Sequence, residues 1–346
     1  MASLPATNGK NVIAPHTVIL GAGASIAMTR LNAEKFGKEL PSMDNLVEKV
    51  GLAPLLDKNG IDYYGKNFES LFSEIKEDLS KEEIAQQIEK QIYDYFANME
   101  ISDELTIYDY LVMSLSNNDA IATFNWDPFL IQALARCSRF THNLPRVIHL
   151  HGNTGLGVCY DDSVVGHINA LCSTCKNPFE PTKLLYPIGK KDYTSDPLIK
   201  NEWEILKAYI EESFYITIFG YSAPVSDIEA KTLLLEVWEK NASKGLAQIE
   251  IVDIKSKEDL YETWQDFIVR DHYYVSNNIF DSYLFRYPRR SCAAFFEMVG
   301  MLRPKKPNPF PKLMTVEELY HWAKPLIDEE ESGVKYSFNV LKGETK

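Results

Sequence analysis

A short stretch near the start of the chain constrains the fold more than any other feature. Residues 17–25, Thr-Val-Ile-Leu-Gly-Ala-Gly-Ala-Ser, form an apolar run that breaks into a glycine-rich turn and then continues with a helical pattern. Gly21 and Gly23 carry no Cβ and can adopt positive φ, so the backbone can approach a pyrophosphate closely. The free N–H groups and the dipole of the helix that follows would face the phosphates. The stretch predicts the first strand and phosphate loop of a nucleotide-binding α/β sheet.

The same stretch leaves one alternative open. No third glycine follows Ser25, so the dinucleotide-binding fingerprint is incomplete. A tight turn between a strand and a helix, with no ligand, fits these residues as well. The later parts of the chain favour the nucleotide-binding interpretation.

Length, composition and charge exclude several classes of protein. The chain has 346 residues, of which 45% are hydrophobic and 25% charged, as in ordinary globular proteins. A net charge of −13 argues against broad, sequence-independent binding of nucleic acid, which needs clustered cations. Neither a signal peptide nor a run of membrane-spanning length is visible in the sequence. We therefore expect a soluble cytoplasmic protein.

Two further strands end in polar residues. The β-prone residues 120–124 lead into Asn125, Trp126 and Asp127, and such side chains at the carboxyl end of a strand lie where open α/β folds bind ligands. The alternative is an Asx turn with Asp127 as a helix cap. Residues 146–150 read as another strand, which leads into His151 and Gly152. Histidine is the usual general base near neutral pH, although a single histidine is often structural.

The rest of the chain predicts helices around this sheet. The spacing of apolar residues indicates an amphipathic helical pair over 68–99, short broken helices and a lid over 31–64, and crossover helices at 203–209 and 228–238. After residue 271 aromatic and basic residues become dense. This segment reads either as a docking surface or as the solvated basic face of a helical appendage. Its basic residues are Arg286, Arg289, Arg290, Arg303, Lys305, Lys306 and Lys312.

The blocks 21–25, 123–127 and 151–152, in this order, resemble the three signature blocks of the sirtuin family. The resemblance implies a Rossmann-type parallel sheet and a protein that consumes NAD. It implies that the pyrophosphate is held by Gly21, Ala22, Gly23 and Ser25. It also implies that Asn125 orients the nicotinamide ribose or the attacking water, that Asp127 binds the carboxamide, and that His151 is the base at the ribose hydroxyls.

Two later strands agree with this resemblance. Residues 214–219 lead into Gly220 and Ser222, which are similar to the family's glycine-serine loop near the phosphates and ribose. Residues 248–252 lead into Asp253, which stands where the family holds the adenosine ribose. A carboxylate there can accept both ribose hydroxyls.

The chain also departs from the sirtuin deacylases. Phe124 stands where they have glutamine, and the run Pro-Asp-Phe-Arg does not follow the glycine loop. One Cys-x-x-Cys pair, Cys172 and Cys175, replaces two, and one pair cannot complete a tetrahedral zinc site. Cys159 and His167 lie just upstream and would supply the missing ligands. We favour a cysteine-bearing loop without metal over a zinc site.

These departures make the chain more similar to the divergent sirtuin-like proteins of bacterial antiphage defence, which hydrolyse NAD. The resemblance predicts hydrolysis of NAD to ADP-ribose and nicotinamide by an abortive antiviral effector. The alternatives are an NAD-dependent protein deacylase and a non-enzymatic module that binds NAD or ADP-ribose. By the same analogy we expect restraint by a homo-oligomer or by a partner subunit, such as a HerA-type DNA-translocating ATPase or an Argonaute-like protein.

The predicted organisation has two parts. A sirtuin-like NAD-binding catalytic domain spans residues 15–271 and carries a helical insertion over about 31–113. A C-terminal helical docking extension spans 272–346.

Overall fold

The computed structural model describes residues 14–30, 40–188, 191–224, 227–269, 272–312 and 315–332. The strands are β1 (His16–Leu20), β2 (Ala120–Thr123), β3 (Arg146–His149), β4 (Leu156–Cys159), β5 (Val164–His167), β6 (Glu180–Pro181), β7 (Tyr215–Phe219), β8 (Gln248–Val252) and β9 (Tyr273–Ser276). The helices are α1 (Ala22–Arg30), α2 (Leu46–Val50), α3 (Ala53–Lys58), α4 (Phe68–Glu77), α5 (Glu82–Ala97), α6 (Ile107–Met113), α7 (Phe129–Ser138), α8 (Pro197–Glu212), α9 (Ile228–Trp238), α10 (Lys257–Trp264), α11 (Tyr283–Arg286), α12 (Ser291–Met301) and α13 (Val316–Glu331).

A six-stranded sheet in the order β3-β2-β1-β7-β8-β9 forms the centre of the fold. All of its strand pairs are parallel. The chain moves outward from β1 to β3 on one side and from β7 to β9 on the other, so the strand order reverses between β1 and β7. Open α/β sheets bind ligands at such a switch point, beyond the carboxyl ends of the strands. The predicted α/β class with a Rossmann-type parallel sheet is confirmed.

The sheet is buried on both faces, which explains why its strands are continuous apolar runs. Alternate residues of β1 enter two different hydrophobic cores: Val18 and Leu20 face one, and Ile19 faces the other. The first core includes buried residues of α1 to α7 and α13, whereas the second includes those of α8, α9 and α10. The predicted crossover helices are thus present as α8 and α9.

The segment between β1 and β2 is helical, as the apolar spacing predicts. The amphipathic pair is α4 and α5, which bury one face each. Asn67 caps α4 with its side chain, and a reciprocal capping box between Thr106 and Asp109 starts α6. Residues 31–39, part of the predicted lid, lie outside the described residues.

The boundary predicted at residue 271 falls between two adjacent strands of the central sheet. β9 pairs with β8, and α13 packs against α6 and α7. Arg289 and Arg290 are buried and bind Glu330 of α13. Both interpretations of the basic segment, docking surface and solvated face, are therefore wrong for these two arginines, which hold a helix onto the core.

A small antiparallel sheet, in the order β5-β4-β6, follows β3 in the chain. Cys159 is the last residue of β4, and Cys172 and Cys175 lie in the segment between β5 and β6. Within the described residues, no helix combines the length and apolar character needed to cross a bilayer.

Candidate active site

The loops that follow β1, β2, β3 and β7 meet at the carboxyl edge of the sheet. Their predicted site residues come together as the parallel topology requires. The Asn125 amide nitrogen donates to the Gly21 carbonyl oxygen at 2.9 Å, and the Gly23 N–H donates to the Gly220 carbonyl oxygen at 2.9 Å. The ring of His151 lies 4.8 Å from that of Phe124, centroid to centroid.

The glycines of this edge pack two loops backbone to backbone. Gly220 has a φ of +62°, and a Cβ there would lie 2.3 Å from the Ala24 nitrogen. A Cβ on Gly23 would lie 2.8 Å from the Gly220 Cα. The N–H groups of Gly21 and Gly23 donate to the β7 loop, so in this conformation they are not available to a phosphate. Ala22, at the start of α1, is the exposed member of the turn.

A buried polar cluster joins the first two loops. The Ser25 hydroxyl donates to the Asp127 carboxylate at 2.8 Å and lies 2.6 Å from the Tyr108 hydroxyl. Asn125 donates to the Ser25 hydroxyl at 3.0 Å. Ser25 and Asp127 therefore contact each other. Tyr108 completes the cluster and is absent from the residues predicted from sequence.

Asp127 is held by its neighbours on both carboxylate oxygens. One oxygen accepts from Ser25, and the other accepts from the Phe129 N–H at 3.3 Å. Burial raises the pKa of Asp127 to about 6, and the Ser25 hydrogen bond opposes this rise. The Phe129 contact is the Asx turn of the predicted alternative. The helix cap predicted at Asp127 is wrong, because the N-cap position of α7 is Pro128.

Asn125 uses its amide nitrogen internally and leaves its amide oxygen available. The nitrogen must face Gly21, because a carbonyl oxygen only accepts hydrogen bonds. The amide oxygen of Asn125 accepts no hydrogen bond from any residue that the structure describes. An unpaired amide oxygen at this edge can accept a hydrogen bond from a water molecule or a sugar hydroxyl.

Asn153 ties the second loop to the third. Its side-chain nitrogen donates to the Asp127 carbonyl oxygen at 2.6 Å and to that of Asn125 at 3.3 Å. Thr182 donates back to the Asn153 carbonyl oxygen at 2.9 Å. Asn153 is fully buried and was missed from the sequence, although it follows Gly152 directly. Its role is to fix the two strand ends relative to each other.

His151 is 5% exposed and lies among aromatic side chains, those of Phe124, Tyr193 and Tyr221. Its Nε2 lies 3.4 Å from the Tyr193 hydroxyl, and its ring makes an edge-to-face contact with the ring of Phe124. Phe124 in turn stacks on Tyr221 at 4.1 Å between ring centroids. Burial, followed by the charge of Lys191, lowers the pKa of His151 well below its usual value. The imidazole is therefore neutral near pH 7.

A buried ion pair between Lys191 and Asp227 lies next to these aromatic side chains. Burial lowers the pKa of Lys191 to about 8. Asp227 also accepts from the Tyr221 hydroxyl at 3.4 Å, so the pair is joined to the aromatic group. Sequence reasoning missed both residues, because the pairing joins segments 36 positions apart with no local motif.

Ser222 and Asp253 lie at the same edge with more freedom. Ser222 is exposed in the loop after β7. Asp253 follows β8 and is half-buried, and its carboxylate accepts from the Lys255 N–H at 3.0 Å. Their predicted contacts with the ribose and phosphates stay predictions.

The cysteine cluster differs from the predicted ligand set in one residue. Ligand atoms of Cys159, Asp162, Cys172 and Cys175 all lie within 4.8 Å of one another. His167 pairs with Leu156 at the opposite end of the β4–β5 ladder from Cys159, and its ring accepts from the Asn169 N–H. His167 is therefore not in the cluster, and Asp162 takes its place.

The donor set of this cluster fits zinc. Three thiols and one carboxylate supply the four ligands of a tetrahedral site. The Asp162 carboxylate already accepts from Cys159 at 3.4 Å and Cys172 at 3.2 Å. Hydrogen bonds from Cys175, then Cys172 and Cys159, lower the pKa of Asp162. A zinc ion that replaced the thiol protons would hold the same three sulfur atoms and the carboxylate oxygen together.

Comparison with known proteins gives similarities of structure. No protein-family model matches the chain, and no curated protein matches it. A solved Sir2 homologue in complex with NAD is 15% identical over 76% of this chain and 84% of its own, with a TM-score of 0.39. A structure from work on the mechanism and regulation of Sir2 enzymes is 15% identical over 84% and 94%, with a TM-score of 0.38. One concerning sirtuin substrate affinity is 15% identical over 78% and 90%, with a TM-score of 0.41.

Proposed function

We propose that this chain binds NAD at the carboxyl edge of the sheet and hydrolyses the bond between nicotinamide and ribose. The observation that carries the proposal is the presence of two suitable groups beyond the ends of the neighbouring strands β2 and β3. These are the Asn125 amide oxygen, which has no partner among the described residues, and the neutral, buried His151. Hydrolysis of this bond needs groups of these two kinds, one to orient a hydroxyl or water and one to take up a proton.

The reaction balances with water as the only co-reactant. The bond from the ribose C1′ to the nicotinamide nitrogen breaks, and its electron pair leaves with nicotinamide. Water adds to the oxocarbenium-like carbon and releases one proton, so the products are nicotinamide, ADP-ribose and H⁺. In our proposal Asn125 orients the ribose or the water. His151 accepts a proton from a ribose hydroxyl as positive charge develops on the sugar and returns it after water has added, so the one proton released is that of the water. Phe124 and Tyr221 shield the reacting carbon from bulk water.

The proposed biological role is that of an abortive antiviral effector. Unrestrained hydrolysis of NAD would deplete the cofactor of the cell that makes the enzyme. The proposal therefore includes restraint, either by a homo-oligomer or by a partner subunit, with the DNA-translocating ATPases and Argonaute-like proteins as the first partners to test.

Nicotinamide release from NAD by the purified chain tests this proposal. Asn125→Ala and His151→Ala should both lose turnover. His149→Ala is the matched control, since His149 is the last residue of β3, lies two positions before His151 and is buried to a similar degree, and its ring Nδ1 has no hydrogen-bond partner among the described residues. Tight NAD binding by the wild type without turnover, alone or with partners, would contradict hydrolysis and favour a binding module.

The cysteine cluster favours a second candidate, an NAD-dependent protein deacylase. The sequence has one of the two Cys-x-x-Cys pairs of the sirtuin deacylases, and the structure brings four suitable ligand residues together. Incubation with NAD and an acetylated peptide distinguishes the two reactions. Release of acetyl-ADP-ribose together with deacetylated peptide would favour the deacylase, whereas release of ADP-ribose irrespective of peptide would favour hydrolysis.

A further inference from the structure

Tyr108 is anchored as firmly as any residue near the candidate active site. It is the second residue of α6, and its side chain is 1% exposed. The capping box between Thr106 and Asp109 fixes the start of the helix around it. Asp109 is in turn bound by Arg136 of α7, the helix that begins just after Asp127. The Tyr108 backbone is thus held on both sides.

The hydrogen atoms in the cluster can be assigned by counting donors. Ser25 has one hydroxyl hydrogen, which goes to the Asp127 carboxylate because an ionised carboxylate only accepts. Tyr108 must therefore donate its own hydrogen to the Ser25 oxygen across their 2.6 Å contact. Burial raises the pKa of Tyr108, so this phenol keeps its proton. The result is a directed chain, from Tyr108 through Ser25 to Asp127.

The same count fixes the orientation of Asn125. Its amide nitrogen has two hydrogens, and these reach the Gly21 carbonyl oxygen and the Ser25 hydroxyl. The Tyr108 hydroxyl lies 3.4 Å from the same nitrogen and supports this orientation. The amide oxygen then has to point away from the cluster, which is the orientation that the proposed reaction uses.

We propose that Tyr108 is a positioning residue of this site, which acts through the Ser25 hydroxyl to orient Asn125 and to keep Asp127 ionised. It touches neither substrate nor the reacting carbon. The reaction it serves is the proposed hydrolysis of NAD, so in that respect the inference rests on the proposed function. Its effect on Asp127 is independent of any ligand and can be measured separately.

The first test is a carboxyl NMR titration of the full chain with carbon-13-labelled aspartate. Tyr108→Phe keeps the ring and removes only the hydroxyl. Without the Tyr108 donation Ser25 is a poorer donor, so the pKa of Asp127 should rise above its wild-type value. Tyr287→Phe is the matched control, because it removes a hydroxyl bonded to the Lys305 carbonyl outside the cluster.

Ser25→Ala interrupts the same chain from the other side and serves as a second variant if Tyr108→Phe folds poorly. It should raise the pKa of Asp127 as well. Adding Tyr108→Phe to Ser25→Ala should then cause little further rise, because residues that act through a shared partner give non-additive effects. Additive shifts, or an Asp127 pKa unchanged in Tyr108→Phe, would overturn the proposal.

The second test is turnover of NAD by the same variants. Tyr108→Phe should lower kcat roughly three- to tenfold, the fold-change that corresponds to one neutral hydrogen bond. The acid limb of its pH–rate profile should move to higher pH, while Tyr287→Phe changes neither. If the wild type releases no nicotinamide, alone or with the candidate partners, the proposed function has failed, and the titration of Asp127 alone decides the role of Tyr108.

Discussion

Two buried relays of hydrogen bonds lie along the central sheet, and they differ in one respect. In each, a donor passes its hydrogen to a hydroxyl, which passes its own to a carboxylate. In the first, the active-site relay, Tyr108, Ser25 and Asp127 have these roles. In the second, the core relay, His16 Nε2 lies 2.8 Å from the Thr217 hydroxyl, which donates to Glu250 at 2.9 Å.

In the core relay every polar side-chain atom has a hydrogen-bond partner. The Ser291 hydroxyl lies 2.7 Å from His16 Nδ1, and the Tyr283 N–H donates to the second Glu250 oxygen at 2.6 Å. These contacts join the sheet to α11 and α12. The active-site relay instead holds Asn125, whose amide oxygen is left without a partner among the residues described. The comparison teaches that a fully paired relay serves stability, whereas one unpaired acceptor at the sheet edge points to a ligand.

The largest expected effect is the loss of activity when His151, at the same edge of the sheet as the active-site relay, is replaced. His151→Ala should lower nicotinamide release by roughly 100- to 10,000-fold, the usual contribution of a positioned acid or base. Its thermal unfolding should remain that of a folded protein. A His151→Ala variant that keeps wild-type turnover would contradict the proposed role of His151 as the base.

The next effect concerns pH and stability in the core relay. Burial raises the pKa of Glu250 to about 7 from 4.5, so between these values the folded chain binds a proton that the unfolded chain has lost. The contribution of Glu250 to stability therefore decreases as pH rises through this window. Glu250→Gln does not titrate, so its stability relative to wild type should increase from pH 4.5 to 7, by about 3 kcal/mol in total.

Denaturant unfolding of both proteins at several pH values measures this change. The difference between the two curves cancels the other titrating groups. A difference that stays constant from pH 4.5 to 7 would mean that Glu250 titrates normally.

A somewhat smaller effect is expected when the central hydroxyl of the core relay is removed. Thr217→Val keeps the shape of the side chain but leaves His16 and Glu250 without their shared partner. An unsatisfied buried group costs about 1–3 kcal/mol, so we expect a loss of about 2 kcal/mol in the free energy of unfolding. Turnover per folded molecule should stay at the wild-type level. Chemical denaturation and nicotinamide release, measured on the same sample, check both halves of this prediction.

The smallest effect on turnover is expected at the cysteine cluster, which belongs to neither relay. We expect the purified chain to bind one zinc ion, with Cys172→Ser losing it and Cys292→Ser, a buried cysteine outside the cluster, retaining it. Hydrolysis of NAD by Cys172→Ser should stay within roughly twofold of wild type, since among the described residues the cluster shares no bonded partner with the active-site relay. Metal analysis of wild type and both variants checks this prediction. The absence of zinc from all three proteins would contradict the assignment of the cluster as a zinc site.

The strand ends were predictable from sequence because their signals are local. The apolar run before Gly21 and the β-prone run before Asn125 each mark a strand and its end within a few residues. Parallel topology then brings the strand ends to one edge. The order of the blocks therefore sufficed to predict the fold class and the position of Asn125 at the carboxyl edge, whereas its hydrogen bond to Gly21 was not predicted.

Two of the missed pairings join residues that lie far apart in the sequence. Tyr108 lies 83 positions from Ser25 and reads as one more apolar residue of a helix. Arg289 lies 41 positions from Glu330, so its burial was hidden by a run of basic and proline residues. Asp162 was missed because a loop carboxylate has no spacing signal, whereas His167 was a more obvious ligand type. Pairings of this kind depend on tertiary packing, which a single sequence does not record.

The most direct test of the account compares Asn125→Ala with Thr217→Val in one experiment. Nicotinamide release and the free energy of unfolding are measured for both variants beside wild type. We predict that Asn125→Ala loses turnover but remains folded, and that Thr217→Val loses stability but keeps its turnover per folded molecule. Full turnover by a folded Asn125→Ala protein would contradict the central claim that the unpaired amide at the sheet edge serves the hydrolysis of NAD.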